Sequence, residues 1–189
     1  MRKTKFGILA LACVTLGGCV LSLHPLFTGE DRIFEPTLNG VWQDKEGKGT
    51  FTLRWFADGK FYFLQTELKD QPKGDFNAVL GTAGKYRFLE IVPRRPDNIH
   101  AKSFYGGHFI QAFSFWKVTL ETNLLTLTPL NYQWVEAMDK AKTLEIKHEQ
   151  QDGGFIILTA STDELKAFVL KYADDKSAFS DGLTFERKK

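Results

Sequence analysis

Apolar and polar residues alternate along most of this chain, with the two-residue period of strands that bury one face. In Thr50–Phe56, Phe51, Leu53 and Trp55 alternate with Thr50, Thr52 and Arg54. Phe61–Leu68 follows after Ala57-Asp58-Gly59-Lys60. Asp-Gly favours a type I′ hairpin turn because both central residues accept positive φ. A hairpin is therefore predicted with its turn on Asp58 and Gly59. Further alternation predicts hairpins of Phe76–Ala83 with Lys85–Val92 about Gly84, and of His108–Leu120 with Leu124–Leu130 about Glu121-Thr122-Asn123. A fourth pairs Lys142–Glu149 with Phe155–Ala160 around Asp152-Gly153-Gly154. Leu38–Asp44 supplies an earlier strand and Leu183-Thr184-Phe185 a short late one.

Two stretches switch to helical spacing. Asn131–Lys140 brings Trp134, Met138 and Ala141 to one side, with Asn131 as the cap. In Ser161–Tyr172, Ser161 and Glu164 are spaced as a capping box. Leu165, Phe168, Val169 and Tyr172 then form an apolar stripe whose expected role is packing on the sheet. Consecutive hairpins favour a mainly β antiparallel meander. Eight or nine strands and seventeen phenylalanines point to a barrel or a strongly curled sheet, with both short helices packed outside.

Some strands are apolar on both faces. Phe61 and Phe63 oppose Tyr62 and Leu64, while Phe109, Phe113 and Phe115 oppose Ile110, Trp116 and Val118. One side then fills the interior and the other meets a helix, the membrane or a partner.

The amino terminus follows a different plan. Arg2, Lys3 and Lys5 precede an uncharged apolar run from Phe6 to Leu16, which ends in Leu16-Gly17-Gly18-Cys19. A basic start, a short apolar middle and small residues before a break describe a secretory signal. The charge-free stretch Phe6–Leu23 is 18 residues, at the short end for a retained membrane helix, and Gly17-Gly18 weakens a helix there. Leu-Gly-Gly-Cys resembles the lipobox of bacterial lipoproteins. In that family a diacylglyceryl group is attached to the cysteine, the chain is cleaved before it, and the new amino terminus is usually acylated. The resemblance implies a leader over residues 1–18, a fatty-acyl (palmitate-type) anchor on Cys19, a lead-in over 19–37 and one β-rich domain over 38–189. Val20 stands where a retaining Asp would follow the cysteine, so the family rule implies the outer membrane, facing the periplasm, in a Gram-negative host. With a single membrane, the same chemistry anchors the domain outside it.

Processing changes what composition means. Losing Arg2, Lys3 and Lys5 takes the formal net charge from +2 to −1. A near-neutral domain lacks the electrostatic footprint of a nucleic-acid binder. Cys13 and Cys19 are the chain's two cysteines, so the mature protein would carry no disulfide and no thiol nucleophile or thiolate metal ligand. The remaining 171 residues suit one domain stabilised by its core. Within the lead-in, Pro25 and Pro36 oppose regular structure, while Leu26, Phe27, Ile33 and Phe34 need apolar cover. The lead-in is expected to pack against the domain base.

Asn39-Gly40-Val41-Trp42 resembles the Gly-x-Trp fingerprint of lipocalins. There the tryptophan closes the barrel base, the glycine permits close backbone approach, and a helix packs outside after the eighth strand. The resemblance implies a cavity for a small apolar ligand, with Trp42, Phe51, Leu53 and Trp55 lining or closing its base. The usual Thr-Asp-Tyr element is absent, no late arginine matches the one that stacks on the tryptophan, and the helix at Asn131 is extra. A broader resemblance joins Ser22-Leu23-His24-Pro25-Leu26-Phe27, Phe34-Glu35-Pro36 and Gly40-Val41-Trp42 to a family of bacterial lipoproteins with a Ser-Leu-His-Pro-Leu start. Its late segment resembles Leu158 to Thr162 through Leu165 and Phe168. It implies an address and an architecture and carries no activity with it.

Candidate chemistry is sparse. His24, His100, His108 and His148 have no i, i+2 or i, i+4 partner of the kind a local metal pair uses, and no metal or cofactor is expected. No Gly-x-Ser-x-Gly, His-Glu-x-x-His or phosphate-cradling loop occurs. Gly106-Gly107 and Gly153-Gly154 read as turn or bulge glycines, and Asp174-Asp175 as a solvated turn. Arg94 and Arg95 could meet an anionic headgroup, partner or ligand, a solvated loop pair being the plainer alternative. The leading expectation is a non-enzymatic, membrane-anchored envelope lipoprotein that binds a small apolar molecule. An accessory protein docking onto an envelope component is the alternative, and an enzyme whose groups converge only in space comes last.

Overall fold

The computed structural model describes residues 20–152 and 155–188. The expected leader, Cys19 and the expected turn at Gly153-Gly154 lie outside the described residues.

Why the chain closes on itself follows from strand order. After β1 (Leu21–Ser22), the strands β2 (Gly40–Asp44), β3 (Gly49–Phe56), β4 (Phe61–Leu68), β5 (Gly74–Ala83), β6 (Tyr86–Pro93), β7 (Ser114–Leu120) and β8 (Leu124–Pro129) each pair antiparallel with the next, from β2 onward. Then come helix α1 (Tyr132–Lys140), β9 (His148–Gln150), β10 (Ile156–Leu158), helix α2 (Thr162–Tyr172) and β11 (Leu183–Arg187). Strand β11 pairs with both β8 and β2, completing an eight-stranded closed barrel. Closure removes both free sheet edges. The expected meander is thus a barrel and not an open curled sheet.

Several local expectations need correction. Phe56 pairs with Phe61 across a four-residue loop, and positive φ falls on Lys60, not on Asp58 or Gly59. The loop is closed by the Lys60 N–H donating to the Ala57 carbonyl at 3.2 Å. Gly59 is instead required for space, because a Cβ there would overlap the Phe61 ring. The Gly84 hairpin forms as expected, with φ of +57° at Gly84. The strand expected from His108 begins only at Ser114, and Gly106–His108 is a single 3-10 turn. The fourth hairpin shrinks to three residues on each side and lies outside the barrel. There β10 also pairs in parallel with β1, so part of the lead-in is a strand.

Both helices start where their caps predict. The Asn131 side chain accepts from the Gln133 and Trp134 N–H groups, and Ser161 with Glu164 forms the reciprocal capping box. Helix α2 buries Leu165, Phe168 and Val169.

Two cores result. The barrel interior contains Trp42, Phe51, Leu53, Tyr62, Leu64 and Phe185 among others. An outer core covers the far side of the β5–β6–β7 wall at Val79, Phe88 and Phe115. Its cover comes from the lead-in (Leu26, Phe27), α1 (Val135), β10 and α2. One set of strands thus has two apolar faces because each faces a separate core. The Phe56, Phe61 and Phe63 rings behave differently: they cluster outside β3 and β4 with centroids 5.0 to 5.3 Å apart.

Candidate functional site

The barrel has two unlike ends. Its base carries the 57–60, 84–85 and 121–123 turns and the carboxyl end of β11. Its mouth carries the 45–48 and 69–73 turns and the long 94–113 connection.

The base is sealed from the sequence upward. Gly40, at φ of +136°, opens β2, and a Cβ there would lie 2.6 Å from Arg187 Nη1. A side chain is excluded on both counts, which is the physical content of the glycine in Gly-x-Trp. Trp42 pairs in register with Arg187 and Phe51 and has no exposed surface. Its indole N–H donates to the Leu38 carbonyl at 2.9 Å. The Arg187 guanidinium stacks over the indole at 4.4 Å and donates to the carbonyls of Asn39 and Thr37. A late arginine therefore does cover the tryptophan, contrary to the expectation from sequence. Cation–π stacking with two carbonyl acceptors fixes the ring and satisfies the turn below it.

Trp55 sits at the rim of this base, half-buried, 4.7 Å from the Phe34 ring and 4.9 Å from Tyr62. The Tyr62 hydroxyl donates to the Glu35 carbonyl and accepts from the Glu35 N–H, and its burial raises the phenol pKa. Phe51 and Leu53 are interior, and Leu53 has no accessible surface even toward an internal void. The structure thus brings Trp42, Phe51, Leu53 and Trp55 together, as part of a solid base.

The mouth is looser. Leu68, Phe76, Trp116 and Leu183 are inward-facing yet only half-buried, and they ring the interior from four different strands. Thr66 adds one polar group, and the Trp116 indole N–H donates to Ser114 Oγ at 3.2 Å. Sequence alternation marked Trp116 as one face of a strand, but only closure shows which residues lie near the opening.

Outside the wall, the lead-in runs from mouth to base. Ser22 exchanges two backbone hydrogen bonds of 2.8 Å with Phe113, and Ile33 donates to the Leu80 carbonyl. Between these points Glu90, 3% exposed, accepts from the Leu26 and Phe27 N–H groups. Burial pushes the Glu90 carboxyl up to about 7, against those two N–H donors and the Arg32 charge. The Phe27 ring lies on Gly81, where a Cβ would sit 2.6 Å from it. Helix α2 closes over this path: Thr162 Oγ1 donates to the Pro25 carbonyl, and Lys166 pairs with Asp31 at 2.6 Å, holding the Asp31 carboxyl below its usual range.

Two grooves lie outside the barrel. One, of about 250 Å³, is lined by Arg54, Phe63, Gln65, Asp75 and Arg94, with the Arg94 guanidinium 5.1 Å over the Phe63 ring. The other, of about 490 Å³, lies between α2 and residues 145–147 and is bridged by the Lys147–Glu164 and Lys171–Glu145 pairs. Of the histidines, His148 ties Asp139 at 3.0 Å to the Ile146 carbonyl at 2.7 Å, and His108 contacts the Phe104 carbonyl. Among the described residues, no three His, Cys, Asp or Glu side chains are grouped to hold a metal.

No family model, curated protein or solved structure matches this chain.

Proposed function

We propose that this chain is a non-enzymatic bacterial envelope lipoprotein, cleaved before Cys19 and held to its membrane by acylation there. In a Gram-negative host that membrane is the outer one. Residues 38–189 act as a lipocalin-like barrel that takes a small apolar molecule at its mouth. The observation that carries this reading is the contrast between the two ends: a base closed by Gly40, Trp42 and Arg187, and a ring of half-buried apolar side chains at the other end. Pockets for small ligands combine apolar lining with few polar groups, as this ring does with Thr66 and Ser114. Ligand contact therefore moves from the base residues to Leu68, Phe76, Trp116 and Leu183. Among the described residues the buried carboxyl, Glu90, is occupied by the lead-in N–H groups, a structural role.

Intact-mass and extracted-lipid analysis of protein from native membranes tests both halves. The expected result is a chain beginning at acylated Cys19 with an apolar molecule that Leu183→Arg no longer retains. Full-length cytosolic protein that keeps Met1 sinks the anchor, and an anchored protein with nothing bound in any extract sinks the ligand.

Docking onto another envelope component is the second reading. It is favoured by the outward Phe56–Phe61–Phe63 cluster and the adjoining groove with Arg54 and Arg94. A photo-crosslinker at Gln65 that yields one discrete adduct in cells supports it, and the lack of any adduct removes it.

A further inference from the structure

The 94–113 connection carries the most exposed apolar side chains among the described residues. Phe104 is 90% exposed, Ile110 78% and Tyr105 66%, and Phe109 stands beside them. Such exposure on a floppy loop would mean little, but this loop is built. Gly107 N–H donates to the Ser103 carbonyl at 2.9 Å, Gly106 N–H to Ser103 Oγ at 2.9 Å, and Ser103 Oγ to the His100 carbonyl at 2.7 Å. A Cβ on Gly106 would overlap the His100 carbonyl, so glycine is required for the turn to close. The rings are paired as well, Phe104 with His108 at 4.7 Å and Tyr105 with Phe109 at 5.1 Å. Ordered rings facing water leave apolar surface uncovered by the protein's own fold.

Position supplies the occupant. Phe113, at the end of this knuckle, pairs with Ser22, three residues after Cys19. Ile110 is three residues from Phe113, so its backbone is within roughly 10 Å of that pairing. Phe155, also exposed, lies two residues before Ile157, which pairs with Leu21. Exposed apolar side chains on two segments, Ile110 and Phe155, therefore lie within a few residues of the point where the lead-in begins, at the mouth end of the barrel. Residues 93–113 also carry Arg94, Arg95 and Lys102 against one acid, Asp97. A tyrosine ring beside apolar Phe and Ile side chains, with neighbouring cations, fits the headgroup layer of a bilayer containing anionic lipid.

We propose that the knuckle of Phe104, Tyr105, Phe109 and Ile110 is a membrane-docking surface, seated in the leaflet that holds the Cys19 lipid and setting the barrel mouth-down on the bilayer. The inference rests on the anchor reading given above. It adds an orientation: an apolar molecule would pass between bilayer and mouth without crossing open water.

The test uses the full acylated protein reconstituted in phosphatidylethanolamine–phosphatidylglycerol vesicles. Acylated Cys19 is blocked and Cys13 leaves with the leader, so one introduced cysteine takes one environment-sensitive fluorophore. Phe104→Cys reports the knuckle and Thr122→Cys the turn at the base. With acyl-chain brominated lipids, the label at residue 104 should be quenched about twofold or more and that at 122 little changed, since interfacial groups sit ~5–10 Å into the headgroup and acyl boundary. Equal, weak quenching at both sites on protein that floats with the vesicles overturns docking and leaves the anchor standing. Protein that fails to float overturns the anchor and docking together. A blue shift at 104 in native membranes but not in pure lipid vesicles also overturns it, because a protein partner is then the occupant.

Discussion

The barrel interior and the outer core share the β5–β6–β7 wall and differ in how far along the chain their contacts reach. Inside, the pairings run between neighbours in sequence from β2 to β8, and β11 alone reaches back to join them. Outside, Thr162 reaches Pro25 across 137 positions and Lys166 reaches Asp31 across 135. The interior places a cation, Arg187, at the rim over Trp42, whereas the outer core encloses the carboxylate of Glu90 behind Leu26 and Phe27. Seven barrel strands meet their neighbours by local steps, and closure by β11 is the one distant pairing among them. The outer core is covered wholly by segments distant from the wall, the lead-in and the residues after β8. The difference teaches that this wall separates a barrel from its fastening, and that the fastening is the part that buries a carboxyl.

The comparison breaks most severely at the interior. Trp42→Ala empties the base, strips Arg187 of its ring and leaves the Leu38 carbonyl without its donor. The expected loss is about 3–5 kcal/mol of unfolding free energy, read from the urea midpoint at constant slope. A loss under about 1 kcal/mol would mean that the base is not tightly packed.

The next effect belongs to the outer core and depends on pH. Glu90 is held at about 7 against an ordinary 4.5, so between these values the folded chain keeps a proton that the unfolded chain has released. Stability is therefore highest below about 4.5 as far as this group is concerned, and falls by about 3 kcal/mol as pH rises through 7. Asp31 and Glu35, whose carboxyls are lowered, act in the opposite sense and below their ordinary values, outside that window. Glu90→Gln keeps a carbonyl for the Leu26 and Phe27 N–H groups and should flatten the slope. An unchanged slope in the variant would assign it elsewhere.

Smallest and most selective is Gly81→Val, which places methyls in the Phe27 ring on the outer face alone. Overpacking of this kind costs about 1–3 kcal/mol. Limited proteolysis should cut within residues 20–35 while the barrel strands stay protected. Cleavage spread evenly through the chain would show that the two cores are not separable.

Much of this was legible in advance, and particular residues show where legibility stopped. Phe51, Leu53 and Trp55 announced their face by alternation, and Asn131 and Ser161 announced their helices because caps act over three or four residues. Arg187 escaped notice because the last strand was expected to stop at Phe185. Carried two residues further, the alternation of Leu183 and Phe185 puts Arg187 on the inward face beside Trp42. His108–Phe113 looked like strand because Phe109, Ile110 and Phe113 are good strand formers, yet the backbone there folds into the knuckle through Gly106 and Gly107. The mouth residues carried no mark distinguishing them from Leu53, since both are apolar residues on the same alternating face.

From the sequence alone came most of the strands, the helix starts and the meander, because alternation and capping act between residues close along the chain. Tertiary structure decided that β11 closes a barrel, that Arg187 meets Trp42, that Gly81 receives Phe27, and that Glu90 holds the lead-in. Those contacts join segments tens to more than a hundred residues apart, and no local pattern specifies which distant partner a buried group will find.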